Sequence, residues 1–420
     1  MRKAKSEIEM RRYAKCEVRM RNLRTPRLLV ALEAIRLRQL RIWHFAIGIS
    51  LCLFVAVGAV EAIDGPEPPT LKIGAKAPGF DLPGVDGKNW KLSDFDKSKI
   101  LVVVFTCNHC PTAQYYEERI KKLVADYKDK GVAFVAISPN DPESVRLDEK
   151  GYTDLGDSLE EMKIRARDRQ FNYPYLLGGG KYESVAKAYG PRATPHAFIF
   201  DSERKLQYVG RIDDSEREKF LRVRDVRVAL DAMLEGKEVA VKENRVFGCS
   251  VKWSSKGEDI KKYWDNIAAE PVTIELVDAE GLRKLRMNAS ANDRGKLRLV
   301  NFWATWCGPC VTEFPDLMTI NRMYRLRDFE VVTVAANYPD EKDDALAFLK
   351  KHQASNKNLL FGDTDKYKLM EAFEPSWEGA LPFTMLIDPT GEVLYKSQGR
   401  FDALELKRRI VKYLNERKPW

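Results

Sequence analysis

The chain has 420 residues, of which 44% are hydrophobic and 10% aromatic, enough apolar side chain for two domains of ordinary size. The formal net charge is +9, but residues 1–62 hold 13 Lys and Arg against 5 Glu, and the other 358 residues hold 58 basic against 57 acidic side chains. The excess positive charge therefore belongs to the N-terminal segment. The body of the chain shows no basic patch typical of nucleic-acid binding.

The first 62 residues have the pattern of an export or membrane segment. A basic leader, residues 1–41, precedes residues 42–62, in which Ile42–Val60 is a run of 19 residues without Lys, Arg, Asp or Glu. Val60-Glu61-Ala62 fits a signal-peptidase site, which favours a cleaved signal peptide, whereas the length of the run favours an uncleaved transmembrane anchor. In both interpretations the positive flank predicts that residues 63–420 lie outside the cytoplasm.

After a proline-rich spacer at residues 64–69, strands alternate with helices, and this alternation predicts an α/β domain over residues 69–246. Short β-branched runs indicate buried strands, and apolar residues at helical spacing indicate helices between them. The predicted strands are Ile100–Phe105, Val132–Ile137, Ala197–Phe200 and Leu206–Tyr208, and the predicted helices are Gln114–Lys130, Leu159–Gln170 and Arg222–Glu235.

The same order of elements then repeats. A polar linker, residues 247–267, leads to a second predicted domain over residues 268–420. Its predicted strands are Lys296–Trp303, Phe329–Ala336, Phe383–Ile387 and Val393–Tyr395, and its predicted helices are Val311–Tyr324, Asp344–His352 and Leu404–Asn415. The repeat predicts an α/β protein with two domains of one architecture, each a central mixed sheet flanked by helices, after the N-terminal segment.

Seven cysteines are too few to staple a chain of this length, but four of them form two C-x-x-C pairs, Cys107/Cys110 and Cys307/Cys310. Each pair directly follows a predicted buried strand. A cysteine at a helix N-terminus is favoured as a thiolate, and a second cysteine one turn later can resolve a mixed disulfide. The pattern indicates redox chemistry over an inert disulfide or a zinc site.

The second motif, Phe302–Cys310 (FWATWCGPC) followed by Val-Thr-Glu-Phe-Pro, resembles the TlpA/ResA class of exported thiol-disulfide oxidoreductases over residues 271–420. The resemblance implies a thioredoxin-like domain in which Glu313 tunes the cysteine pair and Pro382 is a cis-proline facing it. Trp306 belongs to the motif and fits packing and motif shape better than chemistry. Phe383 departs from the small hydroxyl residue usual after this proline, which leaves the substrate contacts open.

The first motif, Phe105–Pro111 (FTCNHCP), resembles redoxin domains of the AhpC/TSA type over residues 70–253. The resemblance makes Pro195 the cis-proline of this domain. His109 stands where oxidising C-x-H-C motifs have histidine, and an imidazole there can stabilise a Cys107 thiolate and make the disulfide more oxidising. Cys249, in a phrase that follows such domains, is a candidate third redox thiol or a plain thiol.

These features predict a thiol-disulfide oxidoreductase that exchanges disulfides with protein thiols and draws on an external reductant, without a cofactor and without a bound metal. It would be exported to the periplasm or another extracytoplasmic compartment, and tethered to the inner membrane if the N-terminal segment stays uncleaved. Two alternatives remain. The first domain could be a peroxiredoxin-like peroxidase, although its Thr-x-x-Cys motif is broken by Val104. It could also be a copper or assembly chaperone, with His109 and His196 joining the two thiols.

Overall fold

The protein is described by a computed structural model over residues 67–288 and 295–417. The predicted leader and the predicted export or membrane segment, residues 1–62, lie outside the described residues. Within the described ranges, every helix is too short or too polar to cross a lipid bilayer.

The first half of the described chain forms a hairpin and a five-stranded sheet, sheet 1. The strands are β1 (Asp81–Pro83), β2 (Asn89–Lys91), β3 (Ile100–Phe105), β4 (Val132–Ser138), β5 (Tyr175–Leu177), β6 (His196–Phe200) and β7 (Leu206–Gly210). Sheet 1 has the order β5-β4-β3-β6-β7, with β3 parallel to β4 and antiparallel to β6. Side chains of β3 alternate between apolar clusters on both faces, and therefore its sequence is apolar throughout.

Four helices flank sheet 1, and they are α1 (Pro111–Tyr127), α2 (Leu159–Asp168), α3 (Glu183–Tyr189) and α4 (Asp225–Leu234). Three of them overlap the predicted helices, while α3 was not predicted. Helix α1 begins three residues earlier than expected because Cys110 caps it and Pro111 fits its first position, where no amide hydrogen is needed.

The second half contains sheet 2, which has six strands. They are β8 (Glu275–Val277), β9 (Leu297–Trp303), β10 (Phe329–Ala335), β11 (Lys357–Phe361), β12 (Phe383–Ile387) and β13 (Val393–Gln398). Sheet 2 has the order β13-β12-β9-β10-β11-β8, and its central strand β9 is parallel to β10 and antiparallel to β12, as β3 is to its neighbours. A mixed α/β architecture with two helix-flanked sheets is thereby confirmed.

The remaining helices are α5 (Gly257–Ala268), α6 (Ala279–Met287), α7 (Gly308–Tyr324), α8 (Lys342–Lys351), α9 (Lys366–Phe373) and α10 (Ala403–Arg417). Helix α5 lies in the segment 247–267 that the sequence predicts as a linker. The first part of that segment packs on sheet 1, where Val251 and Trp253 are buried.

A loop of the first half, residues 147–154, contacts helix α7. The Tyr324 hydroxyl donates to the carbonyl of Thr153 at 2.8 Å, and Arg327 donates to the carbonyl of Gly151 at 3.1 Å. Arg408 of α10 forms ion pairs with Asp154 and Asp168. These contacts join the two halves through buried polar groups as well as through surface charges.

Candidate functional site

The second cysteine pair lies at the N-terminus of α7, directly after the central strand of sheet 2. Cys307 caps the helix, and its sulfur accepts a hydrogen bond from the amide of Cys310 at 3.3 Å. The two sulfurs form a disulfide. This is the position that the sequence predicts for the attacking cysteine, where unpaired amides and the helix dipole favour a thiolate once the bond is reduced.

Glu313 follows Cys310 by one helical turn and is almost fully buried. One carboxyl oxygen accepts from the Asn301 amide at 2.9 Å, and the other accepts from the backbone amide of Phe401 at 3.2 Å. Burial raises the pKa of Glu313 to about 7, although both hydrogen bonds act in the opposite direction. A buried carboxyl that titrates near neutral pH beside the cysteine pair can give or take a proton during exchange.

Trp306, the residue before Cys307, is 61% exposed. It lines a groove of about 330 Å³ together with Tyr338, Lys366, Tyr367 and Leu381. Leu381 precedes Pro382, and the bond between them is cis, as the sequence predicts. The groove thus runs from the residue before the first cysteine to the residue before the cis-proline, and its aromatic walls are open to solvent.

The first cysteine pair has a different relation to its helix. Cys110 caps α1, and its sulfur accepts hydrogen bonds from the amides of Ala113 and Cys249, both at 3.4 Å. Its thiol donates to the carbonyl of Thr194 at 3.2 Å, and the sulfur of Cys107 lies 3.2 Å from the Thr194 hydroxyl. Both pair members are free thiols and are buried.

The electrostatics of this pair follow from that placement. Burial raises the pKa of the Cys107 thiol well above its usual value, and its hydrogen bond with Cys110 adds to the increase. Burial acts on Cys110 in the same sense, but hydrogen bonds from Cys107 and Cys249 and the charge of His109 outweigh it and hold the pKa of Cys110 well below its usual value. The sequence predicts the stabilised thiolate at Cys107, whereas hydrogen bonds from Cys107 and Cys249 and the charge of His109 favour a thiolate at Cys110.

His109 forms a buried pair with Asp157, which lies 48 residues away in sequence. The His109 Nδ1 atom is 2.6 Å from the Asp157 carboxylate, which also accepts from the backbone amides of Asn108 and His109 and from the Asn140 side chain. Burial alone would lower the pKa of His109, but the adjacent carboxylate raises it, and the pKa of Asp157 falls to about 2. The Asp157 carboxylate therefore favours the protonated form of His109 beside the two thiols.

Cys249 joins the first site from the segment that follows α4. It forms an antiparallel bridge with Thr194, whose amide donates to the Cys249 carbonyl at 3.0 Å, and Thr194 precedes Pro195 across a cis bond. Gly248 permits this approach because it has φ of +135° and a Cβ atom there would lie 2.0 Å from the Thr194 carbonyl oxygen. Three cysteines therefore meet at the first site.

The two histidines proposed as copper ligands do not act together. His196 is buried, its Nδ1 atom accepts from the Arg192 amide at 3.2 Å, and burial lowers its pKa to about 3. Among the described residues, the ligand atoms that approach one another within 4.8 Å belong to Cys107, His109 and Asp157. The Asp157 carboxylate of this group already accepts hydrogen bonds from four donors. Its main role is therefore to hold His109 in place and not to bind a metal ion.

Sequence reasoning missed Asp157, Asn140 and Thr194. Asp157 lies in an irregular loop with no motif around it, and only the folded chain brings it to His109. Thr194 directly precedes Pro195, but nothing in the sequence marks it as a partner of the two thiols. The role of Cys110 as a helix cap could have been predicted from Pro111, because proline is common at the first position of a helix, directly after the cap.

Known proteins match both halves of the chain. Residues 73–209 match the AhpC/TSA family, and residues 279–409 match Redoxin. Thiol-disulfide oxidoreductase ResA of Bacillus subtilis is 34% identical over 101 residues, which are 24% of this chain and 52% of that protein. Thiol:disulfide interchange protein CycY of Rhizobium leguminosarum is 32% identical over 125 residues, 28% of this chain and 58% of that protein.

A solved structure of a hypothetical protein from Sinorhizobium meliloti is 33% identical, covers 45% of this chain and 99% of its own, and has a TM-score of 0.40. The chain spans between half and three fifths of the length of the first two relatives named above. The two family matches fall one on each sheet, in the order that the motifs predict. The chain therefore matches, in tandem, the AhpC/TSA family over its first sheet and Redoxin over its second.

Proposed function

We propose that this protein is a thiol-disulfide oxidoreductase that exchanges disulfides with protein thiols at both cysteine pairs, outside the cytoplasm. The observation that carries the proposal is the Cys307–Cys310 disulfide at the N-terminus of α7, beside an open aromatic groove. The names of the relatives, thiol-disulfide oxidoreductase and thiol:disulfide interchange protein, support the same chemistry for the second pair. The extracytoplasmic location rests on the charge and hydropathy of residues 1–62.

The second pair carries out the exchange in two steps. In the reduced protein, the Cys307 thiolate attacks a disulfide of the partner protein, and one partner sulfur leaves as a thiolate and takes up a proton. Cys310 then attacks the sulfur of Cys307, which restores the Cys307–Cys310 disulfide and releases the second partner thiol. Glu313 is placed to accept the Cys310 proton, because it lies one turn along the same helix and has a pKa of about 7.

Reduction of insulin disulfides by the full chain tests this proposal. We expect wild type to reduce insulin in the presence of an external dithiol. We expect Cys307→Ser to lose the insulin reduction that the second cysteine pair carries out. The comparison with Cys107→Ser shows whether the first pair shares in the reaction. Thr319→Ala, a change at a half-buried position of the same helix, is the matched control. Absence of turnover in wild type, with both pairs reduced at the start, would contradict the proposal.

Peroxide reduction by the first site is a second candidate, favoured by the AhpC/TSA match over residues 73–209. The buried Cys110 with its lowered pKa could attack a small oxidant that enters the site. Stopped-flow oxidation by hydrogen peroxide distinguishes the two activities, because a peroxidase thiol reacts far faster than an ordinary thiol. Oxidation at the rate of a simple thiol in buffer would rule out peroxidase activity.

A further inference from the structure

The three cysteines of the first site are arranged around one sulfur, that of Cys110. On one side it shares a hydrogen bond with the Cys107 thiol, and on the other the Cys249 thiol and backbone amide both point to it. The Cys249 amide nitrogen lies 3.4 Å from the Cys110 sulfur and is three bonds from its own sulfur. The Cys249 thiol is therefore a neighbour of the Cys110 sulfur.

The three thiols also differ in their access to solvent. Cys107 is 3% exposed and Cys110 is fully buried, so that a protein partner has less access to these two sulfurs than to Cys249. Cys249 is the partly exposed member, and the bridge to Thr194 holds its backbone in place. The absence of room for a side chain at Gly248 fixes the approach of this segment to the cis-proline. The access of the site to partners is therefore through Cys249.

We propose that Cys249 is a relay thiol: the disulfide of the first site moves between Cys107–Cys110 and Cys110–Cys249, and the second form exchanges with partner proteins. This inference rests on the proposed exchange activity of the first site. It assigns to Cys249 a catalytic part that neither C-x-x-C motif contains, and it makes Cys110 the sulfur common to both disulfides.

The relay step balances once oxidised glutathione or an oxidised partner protein has joined Cys107 and Cys110, which are free thiols in this structure, in a disulfide. The Cys249 sulfur loses its proton and bonds to Cys110, while the Cys107–Cys110 bond breaks and its electron pair goes to Cys107, which takes up a proton. One disulfide is formed and one is lost. A partner dithiol then attacks Cys249: its first sulfur bonds to Cys249 as the Cys110 sulfur leaves, and its second sulfur displaces Cys249. The partner leaves oxidised, and Cys110 and Cys249 are left reduced.

Disulfide mapping in the full chain tests the relay. Replacing Cys16, Cys52, Cys307 and Cys310 by serine leaves only the three thiols of the first site. After oxidation with oxidised glutathione and alkylation of free thiols, trypsin places Cys107 and Cys110 on the peptide 100–119 and Cys249 on the peptide 246–252. A Cys110–Cys249 bond then cross-links two peptides, whereas a Cys107–Cys110 bond stays within one, so the masses separate the two forms.

We expect the cross-linked peptides in the three-thiol chain and in its Cys107→Ser variant, the internal disulfide alone in Cys249→Ser, and neither in Cys110→Ser. Exchange with a reduced protein substrate should slow by at least about tenfold in Cys249→Ser. Ser250→Ala, next to the relay thiol, is the control and should keep the wild-type pattern. The same peptides from the unsubstituted chain provide a measurement that does not depend on the folding of any variant.

The outcomes separate this inference from the proposed function. If the internal disulfide forms and exchanges with substrate but the cross-link never appears, the relay is wrong and the exchange activity of the first site stands. If no disulfide forms among the three thiols, both are wrong for this site. If the cross-link forms but Cys249→Ser exchanges at the wild-type rate, Cys249 is not the point of contact with partners, and the relay is again wrong.

Discussion

The hydroxyl of Tyr324 donates a 2.8 Å hydrogen bond to the carbonyl of Thr153 inside the protein, and this contact joins the two cysteine sites. Tyr324 ends the helix that begins next to Cys307, and Thr153 lies four residues before Asp157, the partner of His109. Helix α7, which is about 25 Å long, thus connects the second cysteine pair to the loop that carries Asp157.

We expect Tyr324→Phe to lower the free energy of unfolding by about 1–3 kcal/mol, because it leaves the buried Thr153 carbonyl without its hydrogen bond. Urea unfolding followed by circular dichroism measures the change. Tyr367→Phe, which removes a hydroxyl from a side chain that is 78% exposed, is the control and should change the free energy by less than about 0.5 kcal/mol. Equal effects of the two substitutions would contradict the importance of this contact.

Glu313 should make the stability of the protein depend on pH. Its pKa is raised from 4.5 to about 7 in the folded state, so the folded protein retains a proton that the unfolded chain loses, and stability falls as pH rises through this window. Glu313→Gln removes the ionisation. The free energy of unfolding of the variant, relative to that of wild type, should therefore increase as pH rises, by at most about 3 kcal/mol. Urea midpoints at pH 5 and pH 8, with the second pair oxidised, measure the difference.

The control for this experiment is Glu371→Gln, which changes an exposed carboxyl on α9 and should leave the dependence of stability on pH as it is in wild type. The rate of insulin reduction by Glu313→Gln should also lose its dependence on a group with pKa near 7. A pH profile identical to that of wild type would show that Glu313 takes no part in proton transfer at the second site.

Asp157→Asn should strongly destabilise the first site, because it removes one partner of a buried charge pair, a change that typically costs about 3–5 kcal/mol. In wild type, the raised pKa of His109 gives stability that is complete below pH 6.5 and is lost as pH rises through the folded pKa. The lowered pKa of Asp157 gives stability that is complete above pH 3.8 and is lost as pH falls towards about 2.

Stability from this pair should therefore be greatest between about pH 4 and pH 6.5, and the Asp157→Asn variant should lack that maximum. Unfolding by urea at five pH values measures the curve. Asp344→Asn, on the exposed side of α8, is the matched control for loss of one carboxylate. If the two variants gave parallel curves, the pair would not control the pH dependence.

The first cysteine pair should be more oxidising than the second, because the charge of His109 lowers the pKa of Cys110 and so stabilises the reduced form. We expect a difference of at least about 30 mV, which corresponds to a tenfold change in the equilibrium constant or more. Titration in glutathione buffers measures both midpoints in a Cys249→Ser background. His109→Asn should lower the first potential, and a first potential at or below the second would contradict this explanation.

The sequence was sufficient for the features that depend on local order. Both cysteine pairs follow buried central strands, Cys307 caps its helix, and both Thr194–Pro195 and Leu381–Pro382 are cis. The strands and the helix cap follow from short motifs and from the order of strands and helices, whereas the two cis-prolines follow from the resemblance of the motifs to known families.

The chemistry of the first site could not be predicted in the same way. The C-x-x-C spacing alone does not determine which sulfur is favoured as a thiolate, because that depends on the hydrogen bonds and charges around each sulfur. The charge of His109 depends on Asp157, and the third thiol depends on a bridge between residues 194 and 249. Contacts between segments that are distant in sequence leave no periodic pattern.

The bridge between Thr194 and Cys249, which places Cys249 beside Cys110, also has a consequence for the stability of the fold. A Cys107–Cys110 bond closes a loop of only a few residues, but a bond between Cys110 and Cys249 would close a loop of 139 residues that contains most of sheet 1. By the loop-closure argument such a staple adds about 5 kcal/mol of stability against unfolding. Exchange of the Cys107–Cys110 bond for a Cys110–Cys249 bond would thus enclose most of this half of the protein in one covalently closed loop.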